Sequence, residues 1–373
     1  MKLASEVFDH KHPFTVGVEE EYMICHPETG QLINRAYEIM DVLPDDLKQR
    51  FSYELILSEI EVNTPVCTNV DHAIDEIIAL RNHTRNIGEE LGFRVGISGT
   101  HPTASPDEQE FIESEGYSWV KDQMDYYARQ NITFSTHVHV ALPDAKLAIQ
   151  VCNAMRRWIP PLLSISTNSP FFNGKLTGML SSRSMQFGIF PRTNIPMTFK
   201  SFNEYEDLVE NYLKYDSIVK PRQIWWKIRP HMDFGTVELR LFDALRSLRN
   251  LKLITALSQA LVYQSVLDHE KGELIEDLPL EYLNDGLWKA IRFDLDSKLM
   301  DTAVGDTVIM RTFIQRMGEY SASALKDFGN DDVLDTLDEI LVSGTEAQCQ
   351  LKEFNKNGFD GLLKYLITSV DYS

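Results

Sequence analysis

The chain has 373 residues, 43% of them hydrophobic and 25% charged, a globular composition long enough for one large or two ordinary domains. Its formal net charge of -20, with no basic run to make a local exception, excludes a polyanion such as nucleic acid as partner. There is no run of about 18 apolar residues, and MKLASEVFDHKHPF at the N-terminus lacks a signal-peptide core, so we expect a soluble, cytoplasmic protein with no membrane attachment.

In chain order, FTVGVEEEYMI (14–24) and LILSEIEVNT (55–64) alternate with the period of two that marks strands. Ile74, Ile77, Ile78 and Leu91 then fall at helical spacing, stopped near Gly92. RVGISGTHP (94–102) reads as a strand ending in a Gly-rich turn, and ITFSTHVHVAL (132–142) as another strand. Leu147, Val151, Met155 and Trp158 predict a helix stopped by Pro160 and Pro161. Tyr205, Leu208, Val209 and Tyr212 predict a third helix before the strand GTVELRLFD (235–243). Beyond about residue 247 the pattern is mainly helical.

No repeat and no Gly/Ser-rich or Pro-rich linker divides the sequence, so residues 1–373 read as one continuous domain. Within it, about 12–245 would hold a sheet with interleaved helices and about 247–373 a helical part. The fold class is α+β, with one sheet face covered and the other open. Cys25, Cys67, Cys152 and Cys349 are scattered without a CxxC pair, which suits reduced thiols in a cytoplasmic protein.

Successive strand residues point to opposite sides, so alternation tells which side chains share a face. Glu19 and Glu21 lie opposite Val18, Glu20 and Tyr22; Glu59 and Glu61 lie opposite Ile60 and Val62. His137 and His139 lie opposite Val138 and Val140, and Glu238 and Arg240 opposite Val237, Leu239 and Leu241. With the apolar faces packed on helices, the carboxylates, imidazoles and guanidinium converge on the open face. Crowded carboxylates repel one another unless protons or cations intervene, and oxygen ligands with some imidazole suit Mg²⁺ or Mn²⁺. Such alternation is also what any antiparallel sheet solvated on one side shows, and Glu20 and Glu59 look ordinary in that light.

Other segments offer anion partners. SSRSMQFGIFPRTNIP (181–196) is loop-like and carries Ser182, Arg183 and Arg192; WWKIRPHMDFGT (225–236) carries Arg229 and His231 beside Trp225 and Trp226. Arginine forks bind phosphate and carboxylate oxygens bidentately, and the thin concentration Arg222, Arg229, Arg240, Arg246 and Arg249 suits a small anion in a pocket. The GTHP turn would bring His101 to the site.

The ordered set GVEEEY, EIEVNTPVC, GTHP, STHVHV, SSRSMQFGIFP and WWKIRPHMDFGTVELRLFD resembles the YbdK-type carboxylate–amine ligases of the glutamate–cysteine ligase type 2 family, distant relatives of glutamine synthetase. The resemblance implies a curved antiparallel sheet forming an active-site bowl, helices on its outer face, and ATP with divalent metal inside. It places metal at Glu19, Glu21, Glu61, Glu238 and at His137 or His139, and gives Arg183, Arg229 and His231 to nucleotide or substrate. Arg229 and Arg240 would stabilise the transferring oxygens. A homodimer is implied too. Departures from the family wording include Ala141 after HVHV, RFDLDS with its Asp294 near the tail, and TASPDEQ after GTHP; they bear on the amine substrate.

The reaction so implied has a carboxylate, by default that of glutamate, attack the γ-phosphate of ATP, and an amine such as cysteine displace phosphate from the acyl phosphate. Glu59 and His101 are candidates for the proton acceptor. Clustered Glu and His can instead activate water, giving a metal-dependent hydrolase, and a nucleotide-binding regulator without activity is a third reading.

Overall fold

A computed structural model describes residues 7, 8, 11–293 and 295–373, so most of the N-terminal stretch read for a leader, and Asp294, lie outside the described residues. The strands are β1 (Val16–Cys25), β2 (Phe51–Tyr53), β3 (Glu59–Asn63), β4 (Arg94–Gly96), β5 (Ser135–Ala141), β6 (Phe171–Phe172), β7 (Lys175–Leu176), β8 (Ile228–His231), β9 (Thr236–Asp243), β10 (Lys298–Asp301) and β11 (Asp306–Ile309). Seven form one open sheet in the order β2-β3-β1-β5-β9-β8, with β4 also paired to β1. Every pairing in it is antiparallel. β3 runs along one side of β1, while β5 and then β4 share the other side.

One face of this sheet is apolar and covered. Val18, Tyr22, Ile60, Val62, Val138, Val140, Val237, Leu239 and Phe242 are buried there; burial of each large aliphatic side chain is worth about 1.5–3 kcal/mol. Helices Val70–Leu91 and Leu248–Lys271 pack against β1 and against each other, and Ala145–Met155 and Ile159–Ile165 pack against β9. Leu248–Lys271 is buried on most of its circumference because Met310–Asp327 and Val333–Ser343 cover its far side. Caps fix where these helices start: the Asn69 side chain accepts from His72 N and that of Ser247 from Asn250 N, each worth about 1 kcal/mol. No helix among the described residues is long and apolar enough to cross a membrane.

The predicted strands and helices are present, with differences in detail. Pro160 and Pro161 do not stop a helix but open the next one, Ile159–Ile165, where a missing N–H is harmless. The strand predicted over 94–102 ends at Gly96, since the chain turns under Asp243. The helical tail contains a hairpin, β10–β11. Segment 181–196, expected as a loop, begins with the short helix Ser182–Phe187, whose Ser184 N–H is accepted by Ser181 Oγ. Cys25, Cys67, Cys152 and Cys349 are unpaired thiols.

Candidate active site

The polar face of the sheet carries every open-face residue that alternation placed there. Cross-strand register sets Glu19 opposite His137, Glu21 opposite Glu61, His139 opposite Glu238, and Glu238 opposite Arg229. Glu19 links both imidazoles, with Oε2 2.8 Å from His137 Nδ1 and Oε1 3.2 Å from His139 Nε2. Ser135 N–H donates to Glu21, and Asn63 Nδ2 donates to Glu61 at 2.9 Å. Glu238 accepts from Arg229 Nε at 2.6 Å and from Arg240 on its other oxygen. Glu20 points to the opposite face, where it pairs with the buried Arg81 at 2.6 Å.

The carboxylates separate into two electrostatic groups. Burial pushes Glu19 and Glu238 up, but His139 and His137 around Glu19, and Arg229 and Arg240 around Glu238, outweigh it and hold both well below the usual range. Glu54, Glu59 and Glu61 are held well above it, first by burial and then by one another and by Glu21 or Glu19. Burial lowers His139 but Glu19 raises it more, for a net upward shift; burial and Arg240 push His137 down, and burial pushes His231 down to about 3. His231 stacks on Phe234, ring centroids 4.2 Å apart, with Nε2 3.9 Å from Glu238 Oε2.

Among the described residues, two sets of ligand atoms lie within 4.8 Å of one another: Glu19, His137 and Glu238, and Glu21, Glu61 and His137. His137 belongs to both, while His139 turns Nδ1 to Thr236 Oγ1 at 2.9 Å. Carboxylate oxygens with one imidazole are the donor set of a hard divalent cation, so the residues fit Mg²⁺ or Mn²⁺. Beside them, Arg229 spends its donors on Glu238 and on the carbonyls of Arg222 and Ile224, whereas Arg240 also reaches His137 Nδ1 at 3.4 Å.

The structure redraws the rest of the sequence reading. His101 does not enter the site: Nε2 meets Gly30 O at 2.8 Å and Nδ1 accepts from Ala104 N at 2.9 Å, which pins the loop. The five arginines do not gather round one anion, since Arg246 pairs with Glu346 and the exposed Arg249 with Glu339. Arg192 leans instead on Tyr212 and on the carbonyl of Gln223. Arg183 does lie beside the bowl, buried, near Asp243, Glu21, Arg240 and Glu59. Glu59, which looked ordinary, is buried within the carboxylate cluster.

Three residues escaped the sequence reading. Glu54 precedes the alternating run but hydrogen-bonds Glu61. Lys227 stands two residues before Arg229 at the entry to β8, a strand whose short run with Pro230 offers no alternation to extend. Asp243 is hidden by a β-bulge: Thr136 pairs with Phe242 but Val138 with Leu239, so Arg240 and Leu241 together oppose His137. The bulge flips the phase and sets Asp243 opposite Ser135, on the polar side, where it accepts from Asn168 N, Ser169 Oγ and Ser181 Oγ at 2.7–2.8 Å. Gly99 is required against it, since a Cβ there would lie 2.6 Å from Asp243 Cγ.

Comparison with known proteins bears directly on this arrangement. The sequence model of Glutamate-cysteine ligase family 2 (GCS2) matches residues 15–365, which span every residue of the bowl. The chain belongs to this family. Within it, a protein of Herpetosiphon aurantiacus named "Putative glutamate--cysteine ligase 2" is 34% identical over 350 residues, 94% of this chain and 91% of that one. One of the same name from Solibacter usitatus is 32% identical over 374 residues, 100% of this chain and 96% of that one. Among solved structures, a glutamate–cysteine ligase of Francisella tularensis in complex with AMP superposes with a TM-score of 0.74 at 11% identity, covering 97% of this chain and 89% of that one. A bifunctional glutathione synthetase of Pasteurella multocida gives 0.70 at 13% identity over 95% of this chain and 51% of its own. At these identities the likeness is one of fold: helices on one side of an open antiparallel sheet, as the family resemblance implied.

Proposed function

We propose that this GCS2 family member is an ATP-dependent carboxylate–amine ligase, with glutamate and cysteine as the default substrates, acting as one catalytic unit and as a homodimer. The observation that carries the reading is the pair of carboxylate–imidazole ligand sets sharing His137, with Arg240 alongside. The names of the relatives and the AMP bound to the Francisella tularensis ligase support ATP as the nucleotide.

In this reading the substrate carboxylate oxygen attacks the γ-phosphorus of ATP, the bond to the β,γ-bridging oxygen breaks, and ADP leaves. The amine then attacks the acyl carbon, loses a proton, and expels inorganic phosphate to leave an amide. Phosphoryl transfer depends mostly on positioning and charge stabilisation. Glu19, Glu21, Glu61, Glu238 and His137 would hold Mg²⁺ or Mn²⁺, which when bound neutralises charge on phosphoryl oxygens. His139 would hold Glu19 in place through the contact of its Nε2 with the carboxylate. Arg240 would face the transferring oxygens; Arg229, with its donors turned to Glu238 and two carbonyls, fits a positioning role. Arg183 and His231 would line the reactants.

The test is ADP release from ATP and Mg²⁺ with glutamate present, across a panel of amines including cysteine, with mass detection of the product. Amine-dependent ADP formation with a matching amide is the expected result. ATP binding with no turnover on any amine would favour a nucleotide-binding regulator, and absence of ATP binding a metal-dependent hydrolase.

A further inference from the structure

On the Arg183 side of the bowl, neighbouring cations hold buried nitrogens with no acceptor among the described residues: Lys227 Nζ, Arg183 Nε and Arg240 Nε. Lys227 and Arg183 are each 2% exposed. The β8–β9 ladder brings Lys227 alongside Arg240, whose N–H donates to Lys227 O at 2.9 Å. Lys227 Nζ and Arg183 Cζ stand 5.7 and 5.6 Å from the centroid of the same ring, Phe187. Burial, then the charges of Arg183 and Arg240, push the amine down to about 7, and Asp243 alone pulls the other way. Glu238 pairs with Arg240, and Asp243, Glu21 and Glu59 lie near Arg183, yet no side chain among the described residues accepts from Lys227 Nζ; the Asp243 oxygens already accept from Asn168, Ser169 and Ser181.

Like charges buried together with unused donors are costly to the fold, and an oxyanion among them would satisfy the donors and relieve the repulsion. We propose that Lys227, Arg183 and Arg240 form a subsite that binds an oxyanion of a reactant, a carboxylate or a phosphoryl group, with Phe187 as its cover. Phe187 is only partly buried, and in this proposal its side chain turns aside to admit the ligand. A charge-assisted hydrogen bond from Lys227 would add to the unused Nε donors of Arg183 and Arg240, whose terminal nitrogens reach the carbonyls of Leu241 and Arg240 and the carboxylate of Glu238. Naming a reactant as the source of the oxyanion rests on the ligase reading, whereas the basic subsite is tested by binding alone.

The experiment is calorimetric titration of the full chain, without turnover, with L-glutamate, inorganic phosphate and MgATP separately, in wild type, Lys227→Met, Lys227→Gln and Lys227→Arg. Thermal melts identify the folded variants, and methionine, similar in length and uncharged, removes the buried charge with little change of shape. We expect at least one probe to weaken about tenfold or more in the neutral variants and to return to within about threefold in Lys227→Arg. Loss confined to L-glutamate marks a carboxylate as the ligand; loss of phosphate or MgATP marks a phosphoryl group. The proposal is overturned if wild type binds none of the probes, if a folded neutral variant binds them all within about twofold of wild type, or if Lys227→Arg folds without restoring binding. Binding lost in the neutral variants would stand even if no amine in the panel released ADP.

Discussion

Arg229 Nε donates to Glu238 Oε2 at 2.6 Å directly across the β8–β9 ladder, so the carboxylate's direction is set by backbone register as well as by charge. Arg240 holds the other oxygen. Glu238→Gln would turn an amide NH₂ toward one of these guanidiniums and remove a ligand atom from the set with Glu19 and His137. We expect that variant and Arg240→Ala each to lower ADP release by about a hundred- to thousandfold while circular dichroism stays native. Near-normal turnover in a folded variant would remove the residue from the machinery.

Glu61 gives a pH-dependent prediction. Its carboxyl is held well above the usual range by burial and then by Glu19, Glu54 and Glu21, so the folded state binds its proton more tightly than the unfolded chain does. Its contribution to stability is thus fully present below an ordinary glutamate value of about 4.3 and is lost as pH rises through the folded value. Glu61→Gln should therefore melt at a higher temperature than wild type at pH 8, with the advantage shrinking as pH falls toward that value. Mn²⁺ at pH 8 should raise the melting temperature of wild type and do so far less in Glu61→Gln. An Mn²⁺ response unaltered by the substitution would exclude Glu61 as a ligand.

On the apolar face, Arg81 binds Glu20 through Nε at 3.0 Å and NH2 at 2.6 Å and donates to the carbonyls of Leu245, Arg246 and Asp371. Tyr22 Oη donates to the same carboxylate at 2.7 Å. Replacing Arg81 alone with Met leaves a buried carboxylate unpaired and should cost about 3–5 kcal/mol in urea denaturation. Replacing Glu20 with Met as well should return only part of that, since the three carbonyls stay without their donor.

Gly99→Ala forces a methyl into the space of the Asp243 side chain. Overpacking of this kind costs about 1–3 kcal/mol, measurable as a lower urea midpoint. A midpoint equal to wild type would mean that the loop moves aside freely.

Much of the bowl could be read from alternation alone because its sheet has one wet and one dry face, so Glu19, Glu21, Glu61, His137, His139, Glu238 and Arg240 announce their side by the company they keep. What could not be read depends on breaks in that rhythm. β8 is only four residues long and contains Pro230, so it showed no strand signal although it carries Arg229 and His231. His101 sits in a motif of the family yet its ring nitrogens hold backbone, a distinction only contacts reveal. Pro160 and Pro161 are equally compatible with the end of one helix and the start of the next.

The bulge opposite His137 makes β5 and β9 a single coding unit. Pairing β9 with a strand that lacks the bulge, Leu241 kept, would set Leu241 opposite Thr136 and Phe242 opposite Ser135, and would turn Asp243 into the apolar layer. A chimera that exchanges one of these strands with a relative therefore inherits a frame error unless its partner travels with it, so residues 135–141 and 236–243 must be transplanted together.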